Sequence, residues 1–275
     1  LATLIDWFGR PEDRPLSRLG YYIAFPAVLL SGLLLTLDLS RPLRFWHMLI
    51  ERNTLEPMFK AYSPMSVGSW ALMIFGFFSF ISFLGALAEE DRVRWPWLRN
   101  FQWPAFRTVR GPSILSRIVR LLGGLSGLFI AGYTGVLLAV TNRPIWSDTP
   151  LLGMLFIVSA ASTSAALLML LAQRYGWRTL PGVAALERMD GLVLALELLV
   201  LAAVMISLGP ALRGWLNVWG VVLILGLVVL GLILPLMMSW RHRRVTRASL
   251  ATAAILVLVG GFLLRVVVIF SSEMI

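Results

Sequence analysis

The chain has 275 residues, of which 59% are hydrophobic and 14% are charged, and its mean hydropathy is +0.84. This composition excludes an ordinary soluble domain of this length and indicates a protein that resides in a lipid bilayer. The formal net charge is +10, and the lack of cysteine in the sequence excludes disulfides and cysteine-held iron–sulfur clusters within this chain.

Apolar runs that are free of charged residues, except for Glu197 in one of them, predict seven complete membrane spans, because a helix needs about 20 apolar residues to cross the hydrocarbon core. They cover residues 19–37, 67–88, 121–141, 150–173, 191–208, 215–239 and 250–264, and the last continues past Arg265. The opening LATLIDWFG resembles the end of an earlier span, with a cleaved signal peptide as the alternative explanation of this start. We therefore predict an all-α integral membrane protein with eight transmembrane helices, the first of them truncated.

The basic residues are divided unequally between the two sets of loops that eight spans create. Seventeen of the 24 Lys and Arg fall in one set and six in the other, while Arg265 lies within the last span. By the positive-inside rule the richer set is cytoplasmic, so both termini are predicted on the outer, periplasmic face of a prokaryotic inner membrane. The excess charge suits contact with anionic lipids, and because the arginines are scattered over short loops we expect no nucleic-acid binding.

A polar segment, DLSRPLRFWHML at residues 38–49, follows the second span. Ser40 can cap a helix and Pro42 suits a first turn, so a short surface helix is predicted over residues 43–51. Asp38 precedes Arg41 by about one turn, and the two are predicted to form an ion pair at this corner.

The same segment supplies candidate proton-exchanging groups at the membrane edge. Asp38 is costly there unless it is paired, and His47 titrates near physiological pH, so both are candidate catalytic residues. Arg41 and Arg44 would orient the acid or a bound headgroup. Ordinary interfacial anchoring is the alternative role for Arg41 and Trp46.

Ionisable residues also lie within the spans, where an unpaired charge is expensive and must face protein or water. Glu197 is near the middle of the sixth predicted span and Arg265 is in the outer third of the eighth. One hypothesis is a proton path that runs from these residues through Asp190 and Glu187 to the cytoplasm. The alternative is a buried Glu–Arg pair that fixes helix packing.

Several motifs together resemble the NrfD-like family of membrane subunits of polysulfide reductase and related complexes. They are LDLSRPLRFWHML, SPMSVGSW from Ser63, GYTGVLLAVTNRPIWSDTPLL from Gly132, LALELLVL around Glu197, and GGFLLRVVVIF near the end. The resemblance spans the chain and implies one NrfD-like transmembrane domain over residues 1–275, built as two four-helix bundles. It also implies a quinone pocket near the outer face and a docked, ferredoxin-like iron–sulfur subunit, which serves a molybdopterin or multihaem catalytic subunit.

The resemblance gives Tyr133 a role, because the matching family tyrosine is a quinone ligand. Its hydroxyl lies toward the outer end of the fourth predicted span and can donate to a carbonyl, although packing against neighbours is the alternative. Asp38, Arg41, Arg44 and His47 complete the predicted site for menaquinone or ubiquinone. No haem is expected, since the two histidines of the chain both fall at span ends, and no metal site is expected.

The predicted function is that of a quinone-reactive membrane subunit of a respiratory oxidoreductase, which is catalytic only within its complex. It would exchange electrons between the quinone pool and the iron–sulfur subunit, with proton translocation as an added hypothesis. A secondary transporter is one alternative, although Pro26, Pro210 and Pro235 form no clear pair of interrupted helices in two halves. A passive membrane anchor without quinone chemistry is the other.

Overall fold

The computed structural model describes residues 1–90, 111, 113–240 and 247–272, and the regular elements in those ranges are helical. The helices are α1 Ala2–Phe8, α2 Arg14–Asp38, α3 Pro64–Glu90, α4 Ile114–Ala139, α5 Leu152–Arg174, α6 Pro181–Leu208, α7 Val218–Trp240 and α8 Arg247–Ser271. Short 3₁₀ helices cover Pro11–Asp13, Pro42–Met48 and Gly209–Trp215, and the middle of α7, Val222–Ile233, is a π-helix.

Seven helices of the described ranges, α2 to α8, are long and apolar enough to cross a membrane. The predicted class, an all-α multi-pass membrane protein, is confirmed. The predicted count of eight is wrong by one, because α1 has seven residues and rises only about 10 Å along its axis. That length is about a third of the hydrocarbon thickness.

The chain divides into two compact units. Unit 1 comprises residues 1–9 and 14–130, and unit 2 comprises residues 10–13 and 131–275. In unit 1, α2 packs on α3 through an aromatic cluster in which the Phe25 ring lies 5.0 Å from that of Phe80 and 5.2 Å from that of Phe83. The Tyr22 hydroxyl donates to the backbone oxygen of Ala86 at 3.0 Å, so the phenol's polar atom is satisfied between two apolar helices.

Close helix crossings in unit 2 depend on glycine. A Cβ built on Gly231 of α7 would lie 2.6 Å from the Cα of Gly260 on α8, and a Cβ on Gly135 of α4 would lie 2.5 Å from the backbone of Leu152 at the start of α5. Lipid tails are as apolar as leucine, so helix association in a membrane relies on such close packing rather than on the hydrophobic effect.

An acidic residue distant in sequence caps α6. The helix begins at Pro181 with no cap from its own N-terminal neighbour, and Gly182 instead donates its N–H to Asp13 Oδ1 at 2.6 Å. The other oxygen of Asp13 accepts the N–H of Arg10 at 2.9 Å, and the side chain is buried. A carboxylate at this end of α6 also opposes the positive end of the helix dipole.

Removal of this cap is expected to destabilise unit 2. The Asp13→Ala substitution leaves a buried N–H without its acceptor, so we expect a loss of about 2 kcal/mol in the free energy of unfolding. The apparent melting temperature of the full chain in detergent, followed by tryptophan fluorescence, measures the effect. Glu12→Gln is the matched control because Glu12 is the exposed neighbour. Equal melting temperatures for the two variants would contradict the capping role.

Candidate functional site

The polar segment after α2 belongs to unit 1 and forms a 3₁₀ helix, Pro42–Met48. Pro42 occupies the first turn as predicted, but the helix is shorter than the predicted 43–51 and begins after Arg41 without a side-chain cap, so the predicted cap at Ser40 is wrong. The backbone turns back after Met48, where Met58 donates its N–H to the oxygen of Leu49 at 2.8 Å. This return of the loop ends the helix.

The predicted ion pair between Asp38 and Arg41 is wrong. The two side chains are exposed, and within the described residues no carboxylate–guanidinium contact under 4 Å joins them. The physical reason is the backbone: α2 ends at Asp38 and Arg41 has φ −136° and ψ 79°, so a spacing of three residues no longer brings them to one helical face. Arg44 is exposed as well.

His47 differs from the other predicted residues of this segment because it is partly enclosed. Its ring centroid lies 3.9 Å from that of Trp46, and its Nε2 atom is buried without a hydrogen-bond partner. Buried polar atoms in native proteins nearly always have a partner, which can be water or a ligand. The imidazole is therefore suited to bind a small polar group at this edge of unit 1.

The loop that carries His47 is anchored on α3 by residues that the sequence analysis did not single out as functional. Trp70 Nε1 donates to the backbone oxygen of Met58 at 2.9 Å, and the Ser66 hydroxyl accepts the N–H of Lys60 at 3.1 Å. Trp70 and Ser66 both belong to the motif SPMSVGSW, so the motif was the sequence feature from which their role could have been predicted. Their hydrogen bonds hold the second half of the loop, around Met58 and Lys60, against α3 and do not leave these groups for a ligand.

Tyr133 belongs to unit 2 and is half-buried in the C-terminal third of α4. It lies between two glycines that bring α4 against α5: a Cβ on Gly132 would lie 2.6 Å from the Ile157 side chain, and Gly135 contacts the backbone of Leu152. The backbone that carries the phenol is therefore held closely by α5. Its proposed partners Asp38, Arg41, Arg44 and His47 all belong to unit 1.

The loop that follows α4 is fixed to the end of α8. Trp146 Nε1 donates to the backbone oxygen of Val268 at 2.6 Å, and the Arg143 guanidinium lies 5.6 Å from the centre of the Trp146 ring. Asp148 accepts the N–H of Ile145 at 2.8 Å, which stabilises the unusual φ of +69° at Ile145. These contacts hold the loop after α4 against the C-terminal end of α8 within unit 2.

A polar cluster lies in the apolar core of unit 2, and we call Glu197, Ser162, Ser159 and Arg265 the Glu197 cluster. The Glu197 side chain is 1% exposed, and its Oε2 accepts the Ser162 hydroxyl at 2.7 Å. Arg265 Nη1 donates to the backbone oxygen of Gly261 at 2.7 Å and reaches Ser159 Oγ at 3.4 Å. Three helices, α5, α6 and α8, contribute to this cluster.

The two charged members of the Glu197 cluster do not touch. Among the described residues no ion pair within 4 Å involves Glu197 or Arg265, and Ser159 stands between them, since it interacts with both side chains. The Arg265 guanidinium also lies 5.6 Å from the centre of the Phe156 ring. Each charged side chain of the Glu197 cluster therefore has hydrogen-bond partners of its own within the apolar core.

Asp190 lies two turns before Glu197 on the same face of α6, because seven residues make nearly two full turns. The axial rise between them is about 10 Å, so no direct contact joins the two carboxylates. Asp190 lines a cavity of about 40 Å³ together with Glu187, Ser239 and Ser249. The structure thus brings Glu197 and Arg265 into one cluster and places Asp190 and Glu187 at a separate cavity.

These features define a multi-pass α-helical membrane protein with a polar segment at the edge of one unit and a buried polar cluster in the other. Comparison with known proteins gives the family. The family model described as "Polysulphide reductase, NrfD" matches residues 1–275. The chain therefore belongs to the NrfD family, whose members are membrane subunits of oxidoreductases, and the predicted family is confirmed.

Two relatives of known name are similar to this protein. "Protein NrfD" of Escherichia coli (strain K12) is 26% identical over 285 residues, which cover 95% of the present sequence and 84% of that protein. The C subunit of the polysulfide reductase of Wolinella succinogenes is 29% identical over 167 residues, which cover 58% of the present sequence and 48% of that protein. The second alignment therefore spans about half the length of that relative.

Proposed function

We propose that the protein is a quinone- or quinol-reactive membrane subunit of a respiratory oxidoreductase. In this role it exchanges electrons between the membrane pool of menaquinone or ubiquinone and an extrinsic, ferredoxin-like iron–sulfur subunit. Membership of the NrfD family supports the general role, and the name of the Wolinella relative, one subunit of a polysulfide reductase, is consistent with a protein that works with a separate catalytic subunit.

The observation that carries the quinone proposal is the buried, unpartnered Nε2 atom of His47 beside the Trp46 ring. Reduction of a quinone consumes two electrons and two protons. A partly enclosed imidazole at the membrane edge can donate a hydrogen bond to a carbonyl oxygen and can act as a proton donor or acceptor. An indole face beside it offers the apolar surface on which a flat ring can lie.

Other side chains have supporting roles in this proposal. Asp38 is exposed and can pass protons to water, and the guanidiniums of Arg41 and Arg44 are exposed on the same segment. The Tyr133 hydroxyl is proposed to donate to a quinone carbonyl. Each of these groups binds, orients or moves a proton, while the electrons pass to or from the partner subunit.

We further propose that the Glu197 cluster conducts protons. A buried carboxylate bonded to one serine hydroxyl, with a second serine hydroxyl and a guanidinium close by, supplies polar groups from which a proton path through an apolar core could be built. In this proposal Asp190 and Glu187 continue the proton path from Glu197 toward the N-terminal end of α6. By the positive-inside rule this end faces the cytoplasm, whereas the quinone site and both termini face the periplasm.

The quinone proposal predicts that loss of single polar groups impairs turnover without loss of assembly. We expect His47→Gln, Tyr133→Phe and Asp38→Asn each to lower quinone-linked turnover by at least about tenfold, the effect of removing one hydrogen bond or proton-transfer group from a reacting centre. Turnover is measured with a water-soluble quinol analogue on the purified membrane complex. Tyr62→Phe is the matched control, because Tyr62 is exposed in the outer loop.

Assembly is followed in the same preparations by identifying the co-purifying subunits with mass spectrometry. An iron–sulfur protein together with a molybdopterin or multihaem subunit is the expected result. Full turnover in all three variants, with assembly intact, would favour a passive anchor. A protein that purifies without any redox partner would favour a secondary transporter.

A further inference from the structure

A small cavity in unit 2 collects oxygen-bearing side chains from three helices. It lies where α5 and α7 end and where α6 and α8 begin. Glu187 and Asp190 of α6, Ser239 of α7 and Ser249 of α8 line its polar side, and the remaining lining residues are apolar. Its volume is about 40 Å³, whereas one water molecule needs roughly 10–15 Å³ on the same measure.

Asp190 contributes a carboxylate oxygen that the protein leaves unsatisfied. The side chain is 8% exposed, and its buried Oδ1 atom has no hydrogen-bond partner. Within the described ranges no Lys, Arg or His nitrogen lies within 4 Å of a carboxylate oxygen of either Asp190 or Glu187. A buried carboxylate in this position has a strong need for a positive ligand.

Ser239 is placed to supply a further oxygen. Its hydroxyl donates to the backbone oxygen of Leu236 at 2.8 Å, so the lone pairs of Oγ remain available toward the cavity. A Cβ built on Gly191 would lie 3.5 Å from Ser239 Oγ, an ordinary van der Waals distance, so Ser239 of α7 lies close to the face of α6 that carries Asp190.

We propose that this cavity binds an alkali-metal cation, Na⁺ or K⁺. Hard cations prefer carboxylate and hydroxyl oxygens, and a single positive charge would offset one of the two acids of the site, which water cannot do. Mg²⁺ fits less well, because it demands octahedral geometry and retains several waters, whereas four oxygen-bearing side chains face about 40 Å³. This inference is independent of quinone chemistry.

The test is the apparent melting temperature of the full protein in detergent, titrated with NaCl or KCl against choline chloride at constant ionic strength. A ligand that binds only the folded state stabilises it, and we expect a rise of roughly 3 °C at saturating cation relative to choline. The more effective salt identifies the ion. Asp190→Asn is expected to abolish the rise, and Ser239→Ala to shift its midpoint to higher salt.

Glu56→Gln is the matched control, because it also removes one acid but from the exposed outer loop, and it should keep the native response. Should Asp190→Asn fail to fold, Glu187→Gln takes its place with the same expected loss. Equal melting temperatures in all three salts, or an alkali-cation effect that survives in these variants, would overturn the proposal. The readout does not involve quinone turnover, so its failure is distinct from failure of the proposed function.

Discussion

Replacement of Glu197 by glutamine is expected to abolish coupled proton translocation while quinone turnover stays nearly unchanged. The substitution keeps the shape of the side chain and an oxygen that can accept the Ser162 hydroxyl, which lies 2.7 Å away. It removes the Glu197 carboxylate, which is the group proposed to take up and release a proton in the middle of α6. We expect the number of protons moved per quinol to fall at least about tenfold, in line with the loss of an essential proton-transfer group.

The measurement is made on the assembled complex in proteoliposomes, where a pH-sensitive dye inside the vesicles reports protons and quinol oxidation is followed in parallel. Glu51→Gln is the matched control, since Glu51 is an exposed acid of the loop between α2 and α3. An unchanged proton-to-quinol ratio in Glu197→Gln would leave the Glu197 cluster with a packing role only. That outcome would not affect the quinone proposal, which depends on residues elsewhere in the protein.

A methyl group added at Gly260 is expected to force α7 and α8 apart. The Cβ of alanine at this position would lie 2.5 Å from the Cα of Gly231, and backbone atoms cannot rotate away as a side chain does. Overpacking of a close contact costs about 1–3 kcal/mol, and we expect the upper part of this range because both partners are backbone. The apparent melting temperature of Gly260→Ala should fall by roughly 5 °C or more.

Gly76→Ala in α3 is the matched control, because a Cβ at Gly76 meets no heavy atom within 4 Å. Alanine is also the better helix former, so this variant should be as stable as the native protein or slightly more stable. Equal melting temperatures for the two alanine variants would contradict the close crossing of α7 and α8. Comparison of the two alanine variants therefore distinguishes the effect of helix propensity on stability from the effect of the contact between α7 and α8.

The helix ends show how far hydropathy alone can locate an element. The predicted span 150–173 and the observed α5, Leu152–Arg174, agree to within two residues. The predicted span 191–208 and α6, Pro181–Leu208, share their C-terminal end, but α6 begins ten residues earlier. Hydropathy stops at charged residues, whereas the helix continues through Glu187 and Asp190 because Asp13 caps its distant start.

For the site residues too, the sequence located the polar groups but did not identify their partners. The sequence indicated that Glu197 and Arg265 lie within spans and need polar surroundings, because an unpaired charge in hydrocarbon is costly. It did not indicate that Ser159 and Ser162 would supply those surroundings, since hydroxyls in a run of small residues are equally compatible with helix packing. The predicted Asp38–Arg41 pair failed because it depended on backbone angles after α2, which side-chain spacing does not specify.

By itself the sequence determined the membrane class, the position of nearly every span, and which polar residues must be satisfied within them. These properties follow from transfer free energies, which depend on composition along short stretches of sequence. Only the tertiary structure decided which groups meet: the Asp13 cap on α6, the serines beside Glu197 and the four polar side chains that line the Asp190 cavity. The hydrogen bond between Ser162 and Glu197 joins residues 35 positions apart and that between Asp13 and Gly182 joins residues 169 apart, and their geometry depends on how closely glycines allow helices to approach.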